Sequence, residues 1–250
     1  MLPELKILGL FLPTYFLVLS LVFSLIVFVL VNRAKKNDLK VSKALDLYLC
    51  IFFGSLIGAR LFYVFYQEPS HYLSNPLEIL YFWNGGLVFF GGFIGGTSSI
   101  LAFCFFKKEK LTLWLNFCAP LLALGYGLGR LACFLNGCCY GDVTNVWWAV
   151  FMHDALRHPT QLYAVFMELL LFFLLIFYER QKGFNFLKPP VFSLWLIGHG
   201  VGRLLMEHYR ADNRGELVFN FMSVSSFISL LLISLGVFCA VWISKKHPSD

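Results

Sequence analysis

Long apolar runs separated by short polar connections dominate the chain, and they set its architecture. The runs extend from about Ile7 to Val31, Ala44 to Tyr66, Gly85 to Phe106, Leu111 to Phe134, Gln161 to Tyr178, Val191 to Tyr209 and Met222 to Ile243. Each approaches or exceeds the roughly 20 helical residues needed to cross a bilayer. They predict an all-α, polytopic membrane protein of about seven transmembrane helices, with one membrane-embedded domain over residues 1–250. The first run is too long for the apolar core of a signal peptide, lacks a small-residue cleavage site and is followed by its positive cluster. It is expected to remain as a helix.

Composition supports a lipid solvent. Hydrophobic residues make up 59% of the chain and charged residues 14%, against roughly 25% charged in soluble domains. The formal charge of +6 does not imply nucleic acid, because the basic residues are scattered and cluster at the ends of apolar runs. They read instead as topology signals. Arg33, Lys35, Lys36, Lys40 and Lys43 follow the first run; Lys107, Lys108 and Lys110 follow the third; Arg180, Lys182 and Lys188 follow the fifth; Lys245 and Lys246 close the chain. The second connection has no Lys or Arg, and the fourth has only Arg157. Cytoplasmic loops retain the basic excess, so the N-terminus is expected outside and the C-terminus in the cytoplasm. Asn136 to Gly141, His158 and the Arg210 to Arg214 stretch then share the outer side.

Several residues there are costly in a membrane without a purpose. Arg60, Arg130, Arg203 and Arg210 sit in the outer halves or ends of their helices, where they are functional candidates by default. Arginine binds phosphate with a planar fork, so such a cluster at headgroup depth suits a phospholipid. The alternative is snorkelling or structural pairing, and Glu207 lies four residues after Arg203, the spacing of an intrahelical pair. The glycines of GGLVFFGGFIGG (Gly85 to Gly96) and GYGLGR (Gly125 to Arg130) allow close helix packing, with space for a lipid as the functional reading. Cys133, Cys138 and Cys139 cluster as C-x4-C-C, which is not a zinc spacing, so no metal is expected. In an oxidising compartment a Cys133 to Cys138 or Cys133 to Cys139 disulfide is feasible. His158, just before Pro159 at a helix start, can serve as base or donor at the interface.

Taken together, GARLFYVFY (Gly58 to Tyr66), WNGGLVFFGGFIGG (Trp83 to Gly96), GLGRLACFLNGCCYG (Gly127 to Gly141), HPTQLY (His158 to Tyr163) and GHGVGRLLMEHYR (Gly198 to Arg210) resemble, in order and spacing, the prolipoprotein diacylglyceryl transferases of bacterial cytoplasmic membranes. The resemblance covers nearly the whole chain. It implies a seven-helix, multi-pass protein with its active site toward the outer leaflet. The implied reaction moves the diacylglyceryl group of phosphatidylglycerol to the lipobox cysteine in the signal-peptide region of a preprolipoprotein, without metal or cofactor. Arg130 matches the family's phosphate-binding arginine and Arg203 its second essential arginine. Tyr15, Asn136, Gly141, His158 and Glu207 also match, and Arg60 lies in a matching segment. Other positions depart from the pattern: Phe90 stands where the family has a histidine proposed as base, Cys133 replaces an asparagine, Cys138 an acid, His199 a tyrosine and Ala164 a glutamate. If the reaction is kept, its base is expected at His199, His158 or a Cys138 thiolate. A related phospholipid-dependent enzyme with another acceptor or thiol chemistry, or a non-catalytic lipid-binding relative, is the alternative.

Overall fold

The computed structural model describes residues 4–7, 10–82, 85–182, 191–211 and 222–246. The apolar runs become α1 (Thr14–Lys36), α2 (Val41–Phe62), α4 (Phe89–Phe106), α5 (Leu111–Asn136), α6 (Thr160–Lys182), α7 (Val191–His208) and α8 (Val224–Lys246), with a short α3 (Pro69–Ser74) between α2 and α4. Five helical stretches, Thr14–Lys36, Val41–Tyr66, Leu111–Asn136, Thr160–Gln181 and Val224–Trp242, are long and apolar enough to cross a membrane. Their outward faces carry side chains that water would not tolerate in such number: Phe16, Phe28, Phe173 and Phe238 are each more than half exposed. The chain is a polytopic, predominantly helical membrane protein. α4 and α7 are shorter, at 18 residues each, and α7 gives part of its length to His199, Arg203 and Glu207. Trp83, Lys188 and Arg214 lie outside the described residues.

Two helix starts differ from the apolar pattern. The first run was expected to be helical from Ile7, but Glu4–Ile7 (β1) and Leu10–Pro13 (β2) form an antiparallel hairpin pairing Glu4 with Pro13 and Ile7 with Leu10. Pro13 disfavours helical backbone at the residue before it, so α1 cannot extend upstream. The third run was expected to be helical from Gly85, but Gly85 and Gly86 have φ of 88° and 70°, and α4 begins only at Phe89. A second hairpin, Val150–Met152 (β3) with Ala155–Arg157 (β4), turns through His153 and Asp154. Both turn residues have positive φ, 46° and 61°, as a two-residue type I′ turn requires.

The described residues form two compact units, Val29–Leu113 and the combination of Met1–Phe28 with Trp114–Asp250. The first is built on α2 against α4, and their glycines set the distance. A methyl group added to Gly58 falls on the carbonyl oxygen of Gly91, one added to Gly91 falls on that of Gly58, and one added to Gly95 falls on that of Gly54. The two backbones therefore touch through paired small-x3-small steps, which is the packing reading of this glycine-rich segment. Because the obstacle is main chain, no rotamer relieves it. Gly58→Leu is expected to cost about 3 kcal/mol or more, at the upper end of overpacking penalties. Thermal unfolding of the detergent-solubilised protein measures this, and an unchanged transition temperature would refute the close contact.

Arg60 belongs to the same unit and is 6% exposed. It donates to the carbonyls of Ile79 at 3.0 Å, Glu78 at 2.6 Å, Gly85 at 2.7 Å and Gly86 at 3.4 Å, and its guanidinium lies 5.2 Å from the Tyr72 ring centroid. One buried fork thus reaches four carbonyls, two in the 3-10 turn Pro76–Leu80 and two in the Gly85–Gly86 segment that leads into α4.

In the other unit α5, α6 and α7 share a core in which Ala119, Leu175 and Val191 are buried together. Asn116, 2% exposed, accepts from the Phe192 amide at 2.9 Å. It thereby satisfies a first-turn donor of α7 that has no partner within its own helix. At the other end Ser223 caps α8, its hydroxyl accepting from the Ser226 amide at 3.1 Å.

Candidate active site

The site starts from the way α5 ends. Gly137 adopts φ of 78°. Its amide donates to the Phe134 carbonyl at 3.2 Å, and the Cys138 amide donates to the Cys133 carbonyl at 3.1 Å. These two bonds make a Schellman termination, which glycine favours because it has no Cβ to strain the left-handed backbone. The motif folds the residue after the glycine back over the residue five positions before it. Here those two residues are Cys138 and Cys133. Cys139 follows with φ of 64°, and the three Sγ atoms lie within 4.8 Å of one another. The exposed Asn136 side chain also bonds to Cys138.

The start of α6 fixes this turn. Thr160 Oγ1 donates to the Cys139 carbonyl at 2.7 Å and Gln161 Nε2 to the Cys138 carbonyl at 2.6 Å. Both side chains are buried, at 3% and 1% exposure. The β3–β4 hairpin closes the other side, with a His153 Nε2 to Gly137 carbonyl bond of 2.8 Å. Donation from the Cys133 thiol and then from Cys138, opposed by burial and reinforced by Arg130 and Arg210, holds the Cys139 thiol far below its ordinary pKa. Among the three thiols it is the one favoured as thiolate.

A small cavity of about 20 Å³, open on one side, lies beside Cys139. Tyr126 and Arg130 of α5, Cys139, residues Thr160 to Glu168 of α6, Gly202 and Arg203 of α7, and Arg210 line it. Three of the four arginines singled out in the sequence therefore meet. Arg130 donates to the Tyr126 hydroxyl. Arg203 donates to Ser225 Oγ at 2.7 Å and pairs with Glu207 at 3.2 Å, and Glu207 accepts from Ser223. Arg210 sits where its segment bridges to Gly141.

Behind Tyr126 lies a buried pair that the sequence reading only half anticipated. His199 Nδ1 bonds to Glu168 Oε1, its ring is edge-on to Tyr126 at 4.6 Å and stacked on Trp195 at 5.2 Å. Glu168 is 4% exposed, lines the cavity, and its Oε2 is buried with no hydrogen-bond partner among the described residues. Its signal was available, since a lone carboxylate within FMELLL is costly in a span. His158, also expected at the site, lies outside the cavity lining and pairs through Nδ1 with the Tyr163 hydroxyl at 3.0 Å. Gly141 packs so tightly that an added methyl would lie 2.7 Å from both Cβ and the carbonyl oxygen of His158. Tyr15 on α1 is within electrostatic reach of Arg130 and the three cysteines.

A separate furrow between α1 and α5 is lined by Val18, Leu21, Val22, Leu25, Leu128, Leu131, Phe134 and Leu135. One face of α5 thus carries Tyr126 and Arg130 into the arginine-lined cavity, while Leu128 and Leu131 line a hydrocarbon furrow. Chemically, three guanidinium groups can hold and stabilise a phosphate as it leaves, and a buried carboxylate paired with an imidazole through one oxygen can accept a proton on the other.

The family described as prolipoprotein diacylglyceryl transferase matches residues 4–242. A phosphatidylglycerol–prolipoprotein diacylglyceryl transferase of Clostridium tetani is 34% identical over 219 residues, covering 85% of each chain. Proteins of the same name from Nitrosomonas europaea and Bordetella bronchiseptica are 36% and 37% identical over 199 and 196 residues. Those matches cover 76% of this chain in both cases, and 69% and 74% of the relatives.

Proposed function

Because the chain belongs to the prolipoprotein diacylglyceryl transferase family, we propose that it alkylates the lipobox cysteine of a preprolipoprotein with the diacylglyceryl group of phosphatidylglycerol. The observation that carries this reading is the convergence of Arg130, Arg203 and Arg210 on one cavity that also holds Glu168 and Cys139. The acceptor thiolate attacks the glycerol carbon that bears the phosphate ester. A carbon–sulfur bond forms, the carbon–oxygen bond breaks, and glycerol phosphate leaves with the bonding electrons. The phosphate gains negative charge in that step, and the arginine forks are placed to stabilise it. The thiol proton passes to the Glu168–His199 pair, which supplies the acceptor that Phe90, on the first turn of α4, cannot. The aliphatic furrow between α1 and α5 suits an acyl chain of the donor.

Seven spans, with the N-terminus outside and the C-terminus in the cytoplasm, fit this reading. The five long apolar helices together with α4 and α7 make the count, and the basic clusters after α1, α4, α6 and α8 mark the cytoplasmic side. The cavity then opens toward the outer leaflet of the bacterial cytoplasmic membrane, where the lipobox cysteine of an exported precursor emerges.

Reconstitution into phosphatidylglycerol vesicles with a lipobox peptide tests the reaction. The expected product is a peptide heavier by one diacylglyceryl group, absent in vesicles of phosphatidylethanolamine alone. No thioether product, with the Clostridium tetani relative active in parallel, would refute it.

A further inference from the structure

We infer that Cys133, Cys138 and Cys139 bind one soft d10 cation, zinc(II), through three thiolates, and that the fourth coordination position takes the acceptor cysteine thiol. The second clause rests on the proposed transferase reaction; the first does not.

Distance is the first argument. Sulfurs bound to one zinc at about 2.3 Å stand roughly 3.8 to 4.0 Å apart, and the three Sγ atoms here lie within 4.8 Å of one another. Construction is the second. The triangle is formed by main-chain geometry, with the Schellman turn placing Cys138 over Cys133 and a left-handed residue placing Cys139 beside them. Left-handed backbone at a residue with a Cβ costs about 1 kcal/mol. Two buried side chains, Thr160 and Gln161, hold the carbonyls of Cys139 and Cys138, so the thiols are positioned before any ion arrives.

The donor set is the third argument. The group contains three sulfurs and, among the described residues, no imidazole or carboxylate. His153 is committed to the Gly137 carbonyl and His158 to Tyr163. Three thiolates select soft ions, and three protein ligands leave a tetrahedral position open, as in catalytic rather than structural zinc sites. Arg130 and Arg210 line the same cavity as Cys139 and bring positive charge to the edge of the thiolate group. The C-x4-C-C spacing differs from zinc-finger patterns because one turn at a helix end supplies all the ligands.

The open position has a use. Cys139 and Arg130 line the same cavity, so a thiol bound beside Cys139 lies next to the phosphate to be displaced. Coordination deprotonates a thiol outright, and its proton leaves to Glu168 and His199. The coordinated sulfur then forms the bond to the glycerol carbon as glycerol phosphate departs. The thioether product is a weaker ligand than the thiolate and frees the position.

The experiment uses full-length protein purified in detergent. Metal analysis is expected to find a single zinc per chain, falling by about tenfold or more in Cys133→Ser and Cys138→Ser, with size-exclusion profiles unchanged. Cobalt(II) exchange is expected to give sulfur-to-cobalt charge-transfer bands that intensify with a lipobox peptide and not with its Cys-to-Ser analogue. Metal-free protein that binds neither added zinc nor cobalt, or zinc retained in the triple Ser variant, would overturn the site. A disulfide that forms in place of metal binding would do the same. Cobalt bands indifferent to the cysteine peptide, or full transfer by the triple Ser variant, would overturn the open-position role while leaving the transferase reading intact. Zinc bound in full with no transfer to any lipobox peptide would reject the transferase reading and leave the metal site standing.

Discussion

Arg130→Ala is expected to slow diacylglyceryl transfer by about 10²- to 10³-fold, the loss of about 2.7–4 kcal/mol typical of removing one donor to a developing oxyanion. Arg130 is held by Tyr126 across one helical turn of α5, with its guanidinium 4.7 Å from the Tyr126 ring centroid. It reaches the cavity already oriented, so little reorganisation is needed during the reaction. The phosphate moves from a singly charged diester toward a doubly charged monoester as the bond breaks. The arginine therefore interacts more strongly with the transition state than with bound lipid, and the loss should fall mainly on kcat rather than on the KM for phosphatidylglycerol. Arg130→Lys should recover only part of the rate, because a point charge lacks the two-pronged geometry of the fork. Steady-state kinetics in mixed micelles measures both values. A variant that keeps its kcat while its KM rises would show that Arg130 only binds the donor.

The second large effect is expected at Glu168. Removing one partner of a buried pair leaves the other without compensation, at a cost of about 3–5 kcal/mol, so Glu168→Ala should lower the unfolding temperature and abolish transfer together. Glu168→Gln separates the two roles. Its amide can still bond to His199 Nδ1, so the fold should hold, but it cannot accept a proton. The expected outcome is near-normal thermal stability with turnover reduced by about 10²- to 10⁴-fold, the usual contribution of a positioned general base. Full turnover in the Gln variant would assign the proton to another acceptor.

How much of this was legible in the sequence depends on whether the signal was a side chain or a backbone. The apolar runs fixed the positions of α2, α5, α6, α7 and α8 to within a few residues, because burial in lipid demands long uninterrupted apolar stretches. Arg130, Arg203 and Arg210 stood out because charge in such runs is expensive, and all three reach the cavity. The errors at α1 and α4 arose where backbone rules outweigh hydropathy, at Pro13 and at Gly85 and Gly86. Arg60 looked like its three counterparts, but its observed partners are carbonyl oxygens, which every residue carries and no sequence pattern marks. Glu168 was passed over as one acid among leucines. The thiol triangle was hidden for a related reason. Its spacing matches no metal template, whereas the glycine at Gly137, read as a helix terminator, would have placed Cys138 against Cys133.

That turn has one more consequence. Its three sulfurs are set by seven consecutive residues, whereas the three arginines are gathered from α5, α7 and the segment beyond it. Helices in a bilayer tilt and shift as local thickness changes. Such motion changes distances between elements and leaves distances within one turn nearly unchanged. The arginine cluster can therefore widen and narrow with such motion, while the thiols hold a constant spacing.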